Sequence, residues 1–386
     1  MTVLVKIRKI ATAVIFISIL LFPALDYFYP LIPKVESREN RTMMEFPHTD
    51  SIEYVDYPTI IDSFFIDNFS TRDQLLYLNS NIKLNIFSIP PKRGEAFIGK
   101  DGWMFLVKKE LDTYTGDNIA TKEELVDYYE VLKYRRDFLE NIGTKFFFVI
   151  LPVKTSIYPE YLPLSKKRNL EFTLTDQIVE IADTMEGIVL IDLREELIKM
   201  KSKERLFHVT DNHWNEYGAF VGSQEILRKI NEYYPEVDTL DESQFVRDSY
   251  IKEGMPLSNM MGIYNGSYEE YITFRHKGES KSREGVKANY PIVKYFAYKD
   301  QFETVYVTDN DSLPKILVIR ESFGKFVIPY LSESFSKSVY IFDRWKHGLN
   351  RSIVLNEKPD IYIQLILECY LPNMLMNAEK QPKIKK

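Results

Sequence analysis

The amino-acid sequence predicts an α/β fold in which a mostly parallel β-sheet is flanked by helices. From about residue 120 onward, amphipathic segments of helical spacing alternate with short apolar runs. The clearest run, KFFFVILP at 145–152, is continuously apolar, as expected for a strand buried on both faces. The alternation is interrupted at 235–312 and then resumes. This succession favours strands joined by crossover helices over an all-helical or all-β fold.

The individual elements follow from the same patterns. Residues 235–312 carry turn signals and short β-like runs, which we interpret as a β-rich insertion. Gly143 ends the strongest helical pattern, as glycine commonly does. Strands are expected at 145–152, 187–194, 315–320, 338–343 and 360–367. Helices are expected at 122–143, 170–184 and 215–234, and a further helix is expected to run from the end of the 315–320 strand to about residue 335.

The chain before residue 120 is less regular. Residues 96–107 (AFIGKDGWMFLV) place a Lys-Asp-Gly turn between two apolar runs, which predicts a β-hairpin. Residues 31–90 begin with a proline-containing charged stretch and continue with apolar residues near helical spacing at 61–87. We therefore expect a stalk with short helices at 31–90 and the main domain at 91–386.

The N-terminal segment 1–30 is predicted to be a membrane anchor. Lys6, Arg8 and Lys9 precede an uncharged apolar run at 10–25. Sixteen helical residues span about 24 Å, somewhat less than the ~30 Å hydrocarbon core, and the flanking basic side chains can extend that reach. A cleaved signal peptide and a buried helix are the alternatives. The basic flank predicts a single-pass protein of the cell membrane, with the domain after residue 30 outside the cytoplasm.

Charge and cysteine content limit the partners, cross-links and metal sites that the chain can have. The formal net charge is −6 and no long basic run occurs inside the chain, which argues against nucleic acid as a partner. Cys369 is the single cysteine, so neither an internal disulfide nor a cysteine zinc cluster can form. We expect no metal and no bound cofactor.

Ser322 is the first candidate for chemistry. It follows the predicted strand 315–320 and precedes a predicted helix. A serine at such a turn projects its Oγ from the carboxyl edge of the sheet, and backbone N–H groups of the helix start lie beside it. Gly324 is expected to permit the tight turn. The alternative is that Ser322 only caps the helix.

The second candidate is the stretch HVTDNHWNEYG at 208–218. Asp211 and His213 are two residues apart, so in extended backbone their side chains point the same way and the carboxylate can orient the imidazole. The imidazole is then available to act as a base on a serine, and we expect both candidates at strand-to-helix junctions. One alternative is that Asp211 or Asn212 caps the following helix. The other is a metal site that also uses His208, which lacks further ligands.

Five blocks of the chain resemble the alginate O-acetyltransferase family, the AlgJ/AlgX-like or DHHW proteins. They match its hairpin, its P-D-K-x-x-I-Y-P block with Val153 in place of aspartate, its D-x-H-W block, its D-L-x-x-M-L-G block and its D-S-F block. In chain order they are AFIGKDGWMFL at 96–106, LPVKTSIYPEYLP at 151–163, TDNHWNEYGA at 210–219, EGMPLSNMMG at 253–262 and LPKILVIRESFGKFVIPYLSESF at 313–335.

The resemblance implies an SGNH-hydrolase-like domain in which Ser322 is the nucleophile, His213 the base and Asp211 the group that orients it. It implies transfer of an acetyl group through an acetyl-serine onto an extracellular or cell-envelope polysaccharide. The acetyl donor would come through a membrane-bound O-acyltransferase partner. Candidates for lining the site, with a purely structural role as the alternative, are Lys154, Tyr158, Tyr330 and Arg344.

Two other functions fit the same residues. A carbohydrate acetyl-esterase would use the same three side chains with water as the acceptor. A non-catalytic glycan-binding scaffold would have kept only the fold. The Arg320-Glu321 pair before the serine departs from the usual context of the family and is the main support for this last alternative.

Overall fold

The computed structural model describes residues 2–29, 31, 43–46, 56–68, 71–87, 96–166, 168–263, 267–288, 290 and 302–376. The chain divides into two compact units. The first comprises Met1–Phe97 and Glu253–Ser267, and the second comprises Ile98–Lys252 and Tyr268–Lys386. The predicted domain boundaries at residues 30 and 90 are not tested by this division and stay predictions.

The α-helices cover much of the predicted helical pattern and add several short elements. In chain order they are α1 Thr2–Phe28, α2 Tyr57–Asn68, α3 Arg72–Asn81, α4 Glu110–Thr115, α5 Lys122–Glu140, α6 Lys154–Ile157, α7 Leu174–Asp183, α8 Arg194–Met200, α9 Glu216–Asn231, α10 Pro256–Met260, α11 Ile328–Leu331, α12 Arg351–Glu357 and α13 Asn373–Met376.

The strands are β1 Ala96–Ile98, β2 Met104–Leu106, β3 Lys145–Leu151, β4 Ile188–Asp192, β5 Phe245–Glu253, β6 Tyr268–His276, β7 Arg283–Glu284, β8 Glu303–Val307, β9 Lys315–Arg320, β10 Lys337–Phe342 and β11 Ile361–Leu367. The predicted hairpin at 96–107 is confirmed as β1 and β2, and Gly99 N–H donates to Trp103 O across its turn at 2.6 Å.

The first unit contains α1, α2, α3 and α10. Helix α3 continues into a π-helical turn at Ile82–Ile86. Ser80 Oγ donates to Met261 O at 2.8 Å and ties α3 to the segment that follows α10. Helix α1 covers the segment predicted to be an anchor, and among the described residues no helix is long and apolar enough to cross a membrane.

The second unit is built on a seven-stranded sheet in the order β4-β3-β11-β9-β10-β8-β7. The five strands from β4 to β10 are parallel, and β8 and β7 add antiparallel at one edge. The predicted α/β class with a mostly parallel sheet is confirmed. The β-rich excursion at 235–312 is also present, but part of it extends the main sheet, while β5 and β6 form a separate two-stranded sheet.

Burial explains the continuous apolar pattern of the central strands. Every residue of β11 is buried, as is every residue of β3 except Lys145. Helices α5 and α7 pack on one face of this sheet, where Phe146, Phe148 and Tyr362 belong to the hydrophobic core. Burying one such aromatic side chain stabilises the fold by about 1.5–3 kcal/mol, so both faces of these strands select apolar residues.

The predicted helix after β9 is broken into short pieces. A 3₁₀ turn at Phe323–Lys325 is followed by α11 and by a second 3₁₀ turn at Ser332–Ser334. Pro329 lies inside α11, near its start. Proline has no N–H and its ring clashes with the carbonyl four residues earlier, so it disfavours one continuous helix here and is accommodated at the start of a new one. The expectation of a single helix to about residue 335 was therefore wrong.

Candidate active site

Ser322 lies at the carboxyl edge of the sheet, directly after the central strand β9. Its side chain makes no capping hydrogen bond to the 3₁₀ turn that follows, so the cap interpretation is wrong. Gly324 is required by close packing: a Cβ there would lie 2.6 Å from Cβ of Arg320 and 3.1 Å from Cδ1 of Leu365. The turn can therefore sit tightly on the sheet and present the hydroxyl.

Asp211 and His213 lie in the loop between α8 and α9, and not at a strand-to-helix junction as expected. A β-bridge between Phe207 and Trp214 closes this loop. The N-cap of α9 is Asn215, whose side chain accepts the Gly218 N–H at 2.9 Å. Asp211 and Asn212 are therefore not the helix cap, and the carboxylate is available for another partner.

The structure brings the three candidate residues into one hydrogen-bonded row. His213 Nε2 lies 3.0 Å from Ser322 Oγ, although the two residues are 109 positions apart. On the other side, His213 Nδ1 lies 3.2 Å from both carboxylate oxygens of Asp211. Trp214 Nε1 donates to Phe323 O at 3.1 Å and joins the histidine loop to the serine turn. This is the geometry of a nucleophile, a base and a group that orients the base.

Lys154 anchors the loop that carries Asp211 and His213. Its buried ammonium group donates to Asp211 O and Val209 O, both at 2.9 Å, and to Met104 O at 2.7 Å. Three donors thus meet three main-chain carbonyls, which matches the hydrogen-bonding capacity of an ammonium group. Burial lowers the pKa of Lys154 to about 7, against the opposing pull of nearby carboxylates.

Glu269 on β6 anchors the same loop from another side. Its Oε2 accepts both the N–H and the hydroxyl of Thr210 at 2.5 Å, and its Oε1 lies 2.8 Å from His208 Nδ1. His208 thus faces Glu269 and not Asp211. The sequence analysis missed Glu269, because a carboxylate in the β-rich excursion carries no local signal that it will meet residues about 60 positions earlier.

Two buried carboxyl groups adjoin the row. Glu321 Oε2 accepts the Phe323 N–H at 2.8 Å and lies 3.3 Å from Ser322 Oγ, and burial raises the pKa of Glu321. Glu110 accepts from Asn212 Nδ2 at 3.0 Å, and burial raises its pKa to about 7. Glu110 was not predicted either. One N–H expected beside the nucleophile, that of Phe323, is thus held by Glu321.

These acidic groups control the protonation of the histidine. Burial acts to lower the pKa of His213, but Asp211, with Glu321 and Glu110 nearby, outweighs it and raises that pKa above 6.5. Burial acts to raise the pKa of Asp211, and the charge and hydrogen bond of His213 hold it below the usual value. The site therefore stabilises an imidazolium ion, as a base that has just taken a proton requires.

Arg320 does not carry its guanidinium group to the serine. Arg320 lies opposite Phe342 in the register of β9 and β10, and its guanidinium lies 5.6 Å from the centre of the Phe342 ring. The same group donates to Glu321 O at 3.2 Å. In the unusual Arg320-Glu321 pair, Arg320 thus packs against the neighbouring strand β10, and Glu321 contacts the turn that begins at Phe323.

The remaining candidates have structural contacts. Tyr158 packs on Trp103 with ring centres 4.5 Å apart, and its oxygen accepts the Leu206 N–H at 2.9 Å. The Tyr330 hydroxyl donates to Phe274 O at 2.7 Å and lies 3.0 Å from Glu216 O. Exposed Arg344 lies in the loop after β10, with a left-handed φ of 52° and its guanidinium 6.0 Å from the Phe302 ring centre. Whether any of them binds substrate stays a prediction.

The chain matches a family described as "SGNH hydrolase-like domain, acetyltransferase AlgX" over residues 96–265. The matched region contains Asp211 and His213 and ends before Ser322. A probable alginate O-acetylase AlgJ of Pseudomonas syringae pv. tomato is 30% identical over 144 residues, which cover 37% of this chain. The match spans about a third of that relative, 35% of its length.

Solved structures show the same fold at low identity. PatB1 of Bacillus cereus, determined with a sulfonyl adduct, superposes with a TM-score of 0.53 at 18% identity and covers 74% of this chain and 99% of its own. A DHHW family protein from Eubacterium siraeum gives 0.52 at 15%, covering 76% of this chain and 97% of its own. Together the comparisons confirm the SGNH-like fold and the resemblance to the alginate O-acetyltransferase family that the sequence motifs indicated.

Proposed function

We propose that this chain is an extracytoplasmic O-acetyltransferase that moves an acetyl group through an acetyl-serine onto a polysaccharide hydroxyl. The observation that carries the proposal is the 3.0 Å distance between His213 Nε2 and Ser322 Oγ, with Asp211 on the far side of the imidazole. The relatives named as alginate O-acetylases and acetyltransferases support the reaction class.

In the first half of the reaction, Ser322 Oγ attacks the carbonyl carbon of the acetyl donor while its proton passes to His213 Nε2. The imidazolium ion is stabilised by Asp211, and its proton then goes to the departing group. The product is an ester between the acetyl group and Ser322. Buried Asp211 does not need to take up the proton, because His213 holds its pKa below the ordinary value.

In the second half, a polysaccharide hydroxyl gives its proton to His213 and attacks the acetyl-serine. The ester bond to Ser322 breaks as the new ester to the sugar forms, and the imidazolium proton returns to the serine oxygen. Water in place of the sugar hydroxyl would give an acetyl-esterase, the second candidate function. The same three side chains serve both reactions, so the acceptor that reaches the site decides between them.

The location and the donor belong to the same proposal. The basic flank and apolar run of α1 support export of the domain, with either an anchored or a cleaved N-terminal segment. Because acetyl-CoA is a cytoplasmic donor, an exported transferase needs acetyl groups passed across the membrane. We therefore infer a membrane-bound O-acyltransferase as the partner, and no cofactor held by this chain.

The proposal is tested by supplying the purified full chain with an activated acetyl ester and a mixture of bacterial polysaccharides. We expect ester-linked acetyl groups on a polysaccharide with wild type and none with Ser322→Ala. Release of acetate alone, at the same rate with and without polysaccharide, would instead establish the esterase. Equal behaviour of wild type and Ser322→Ala would contradict both enzymes and favour the non-catalytic scaffold.

A further inference from the structure

A cavity of about 550 Å³ opens beside the candidate active site. Lys325 and Phe326 line it, and both belong to the segment that begins at Ser322. The ring of Phe326 lies 5.9 Å from that of His213, centre to centre. Glu216, three residues after His213, lines the same cavity. A ligand here would thus begin next to the two residues proposed to carry the reaction.

This cavity continues into a second one of about 700 Å³. Residues common to the two linings include Phe245, His276, Pro329 and Glu333. We call the two cavities together the acceptor groove. Each has the volume of an ordinary small-molecule site, so the groove is larger than an acetyl ester needs. A groove of this volume beside a nucleophile suits a chain of sugars with one hydroxyl presented to the serine.

The groove is built into the fold. Its floor contains Phe245 and Phe274, stacked with ring centres 5.4 Å apart and planes 8° apart. Tyr330 also lines it, and the hydroxyl of this residue donates to the main chain of β6 and lies 3.0 Å from a carbonyl of α9. These contacts fix the walls relative to one another before any ligand arrives, which lowers the entropic cost of binding.

The charges are balanced at the end of the groove near Ser322 and unfavourable for a polyanion at the far end. Among the described residues, the end near Ser322 is lined by two cations, Arg275 and Lys325, and two carboxylates, Glu216 and Glu333. The far end has Lys281 as its single lysine or arginine among the described residues, and it is also lined by four carboxylates: Glu333, Glu236, Asp238 and Asp309. Exposed Asp309 is paired with Arg283 at 2.5 Å, which offsets part of its charge. A polyuronate would place a row of negative charges beside the remaining carboxylates, Glu333, Glu236 and Asp238.

We infer that the acceptor groove binds the polysaccharide acceptor of the proposed acetyltransferase, and that this acceptor is a neutral glycan and not a polyuronate. The inference rests on the proposed function for the identity of the reaction. It separates this chain from relatives named for alginate by the charge of its own groove residues.

Binding to the full chain carrying Ser322→Ala tests this inference without turnover. The probes are six-sugar oligosaccharides at low salt: a panel of neutral ones that differ in linkage, and an oligouronate. We expect at least one neutral oligosaccharide to bind with a Kd at least tenfold below that of the oligouronate. An oligouronate that binds as tightly as every neutral probe would overturn the inference.

Two variants place the binding in the groove. Ser280 is exposed on the groove wall, so Ser280→Trp should fill the groove and weaken neutral-glycan binding at least tenfold, while Ser202→Trp, at an exposed site elsewhere, should not. Glu236→Lys with Asp238→Lys should tighten oligouronate binding severalfold, and Asp183→Lys, also outside the groove, should leave it unchanged. Equal effects of the groove and control variants would overturn the assignment.

The outcome is distinguishable from failure of the proposed function. Acetylation of Ser322 by an activated ester needs no glycan, so it can be measured in the wild-type chain alone. If Ser322 becomes acetylated while Ser280→Trp leaves glycan binding intact, the groove is wrong and the enzyme stands. If Ser322 is never acetylated while the groove binds glycans, the enzyme is wrong and glycan binding stands.

Discussion

Two histidines five residues apart in this chain, His208 and His213, each have a carboxylate beside Nδ1. They differ in what surrounds the second ring nitrogen, Nε2. His213 faces Asp211 with Nδ1 and Ser322 with Nε2, and its side chain is 20% exposed. His208 faces Glu269 with Nδ1, but its side chain is 1% exposed. Among the described residues, His208 Nε2 has no hydrogen-bond partner.

The comparison teaches that a paired histidine is not by itself a candidate base. Both carboxylates hold an imidazole, but only His213 has a hydroxyl on its other nitrogen and access from solvent. The His208 pair instead shares its carboxylate with Thr210, one residue before Asp211. We therefore propose that the His213 pair takes part in the chemistry and that the His208 pair holds the loop.

The largest expected effect separates the two pairs most clearly. Ser322→Ala or His213→Ala should each lower the rate of acetyl transfer by about 10³-fold or more, and the double variant should be scarcely worse, because residues of such a set act as a unit. Rates with an activated acetyl ester measure this. Two independent losses that multiply in the double variant would show that the pair does not act together.

Loss of the Lys154 anchor should give the next largest effect. Lys154→Met removes three hydrogen bonds to main-chain carbonyls, of which Val209 O keeps a second donor, the Met104 N–H. With the other two carbonyls at about 1–3 kcal/mol each, the free energy of unfolding should fall by about 2 kcal/mol or more. We expect transfer activity of the folded fraction to fall about 10²-fold as the loop loses its geometry. Denaturant unfolding and initial rates measure the two effects.

Lys201→Met is the matched control for Lys154. Lys201 also donates to a main-chain carbonyl, Ile157 O at 2.6 Å, but it touches no residue of the 207–214 loop in the contacts that the structure gives. Lys201→Met should lower the free energy of unfolding but cause little loss of activity in the folded protein. If both lysine variants lose activity in proportion to stability, the anchoring role of Lys154 is not specific.

The pH dependence should report the environment of His213. The base must be neutral, and its pKa is raised, so kcat/KM should rise with pH through a midpoint above about 6.5. Asp211→Asn should move that midpoint down, because the carboxylate that favours the imidazolium is gone. Glu110→Gln should lower the midpoint less than Asp211→Asn does, because Glu110 contributes less to the raised pKa of His213. It also tests Glu110 as the titrating group, since Glu110 itself has a pKa raised to about 7. A midpoint that disappears in Glu110→Gln would belong to Glu110.

The smallest effect is expected at the second pair. His208→Gln keeps a polar side chain beside Glu269. The His208 side chain has no hydrogen bond to Ser322 or His213, and the main-chain bond from His208 N–H to His213 O is kept in the variant, so transfer activity should fall less than tenfold. The measurement is the same rate assay with a melting curve alongside. If His208→Gln still melts cooperatively but loses as much transfer activity as His213→Ala, the different roles proposed for the two histidines would be contradicted.

The fold was largely predictable because local patterns dictate it. The strand at 315–320 coincides with β9, and the continuous run at 145–152 contains β3, since strands buried on both faces must be apolar throughout. The broken segment after β9 was missed, although Pro329 was a visible reason for it. The antiparallel edge strands β7 and β8 were missed as sheet members because pairing partners are not written in a single sequence.

For the candidate site, only residues that belong to a recognisable sequence motif could be predicted. Asp211, His213 and Ser322 were named from the sequence, and the structure places them in one row. Glu110 and Glu269 reach the loop from other parts of the fold, and ordinary glutamates give no sign of burial in advance. Gly324 is predicted to permit a tight turn, and its close packing on Arg320 and Leu365 agrees with that prediction.

The central claim is that Ser322 becomes acetylated with His213 as its base. Brief exposure of the full chain to an activated acetyl ester, followed by intact-mass measurement and peptide mapping, tests it directly. The account predicts one acetyl group on the peptide containing Ser322 in wild type and in His208→Gln, and none in Ser322→Ala or His213→Ala. Acetylation at another residue alone, or equal acetylation of Ser322→Ala, would contradict it.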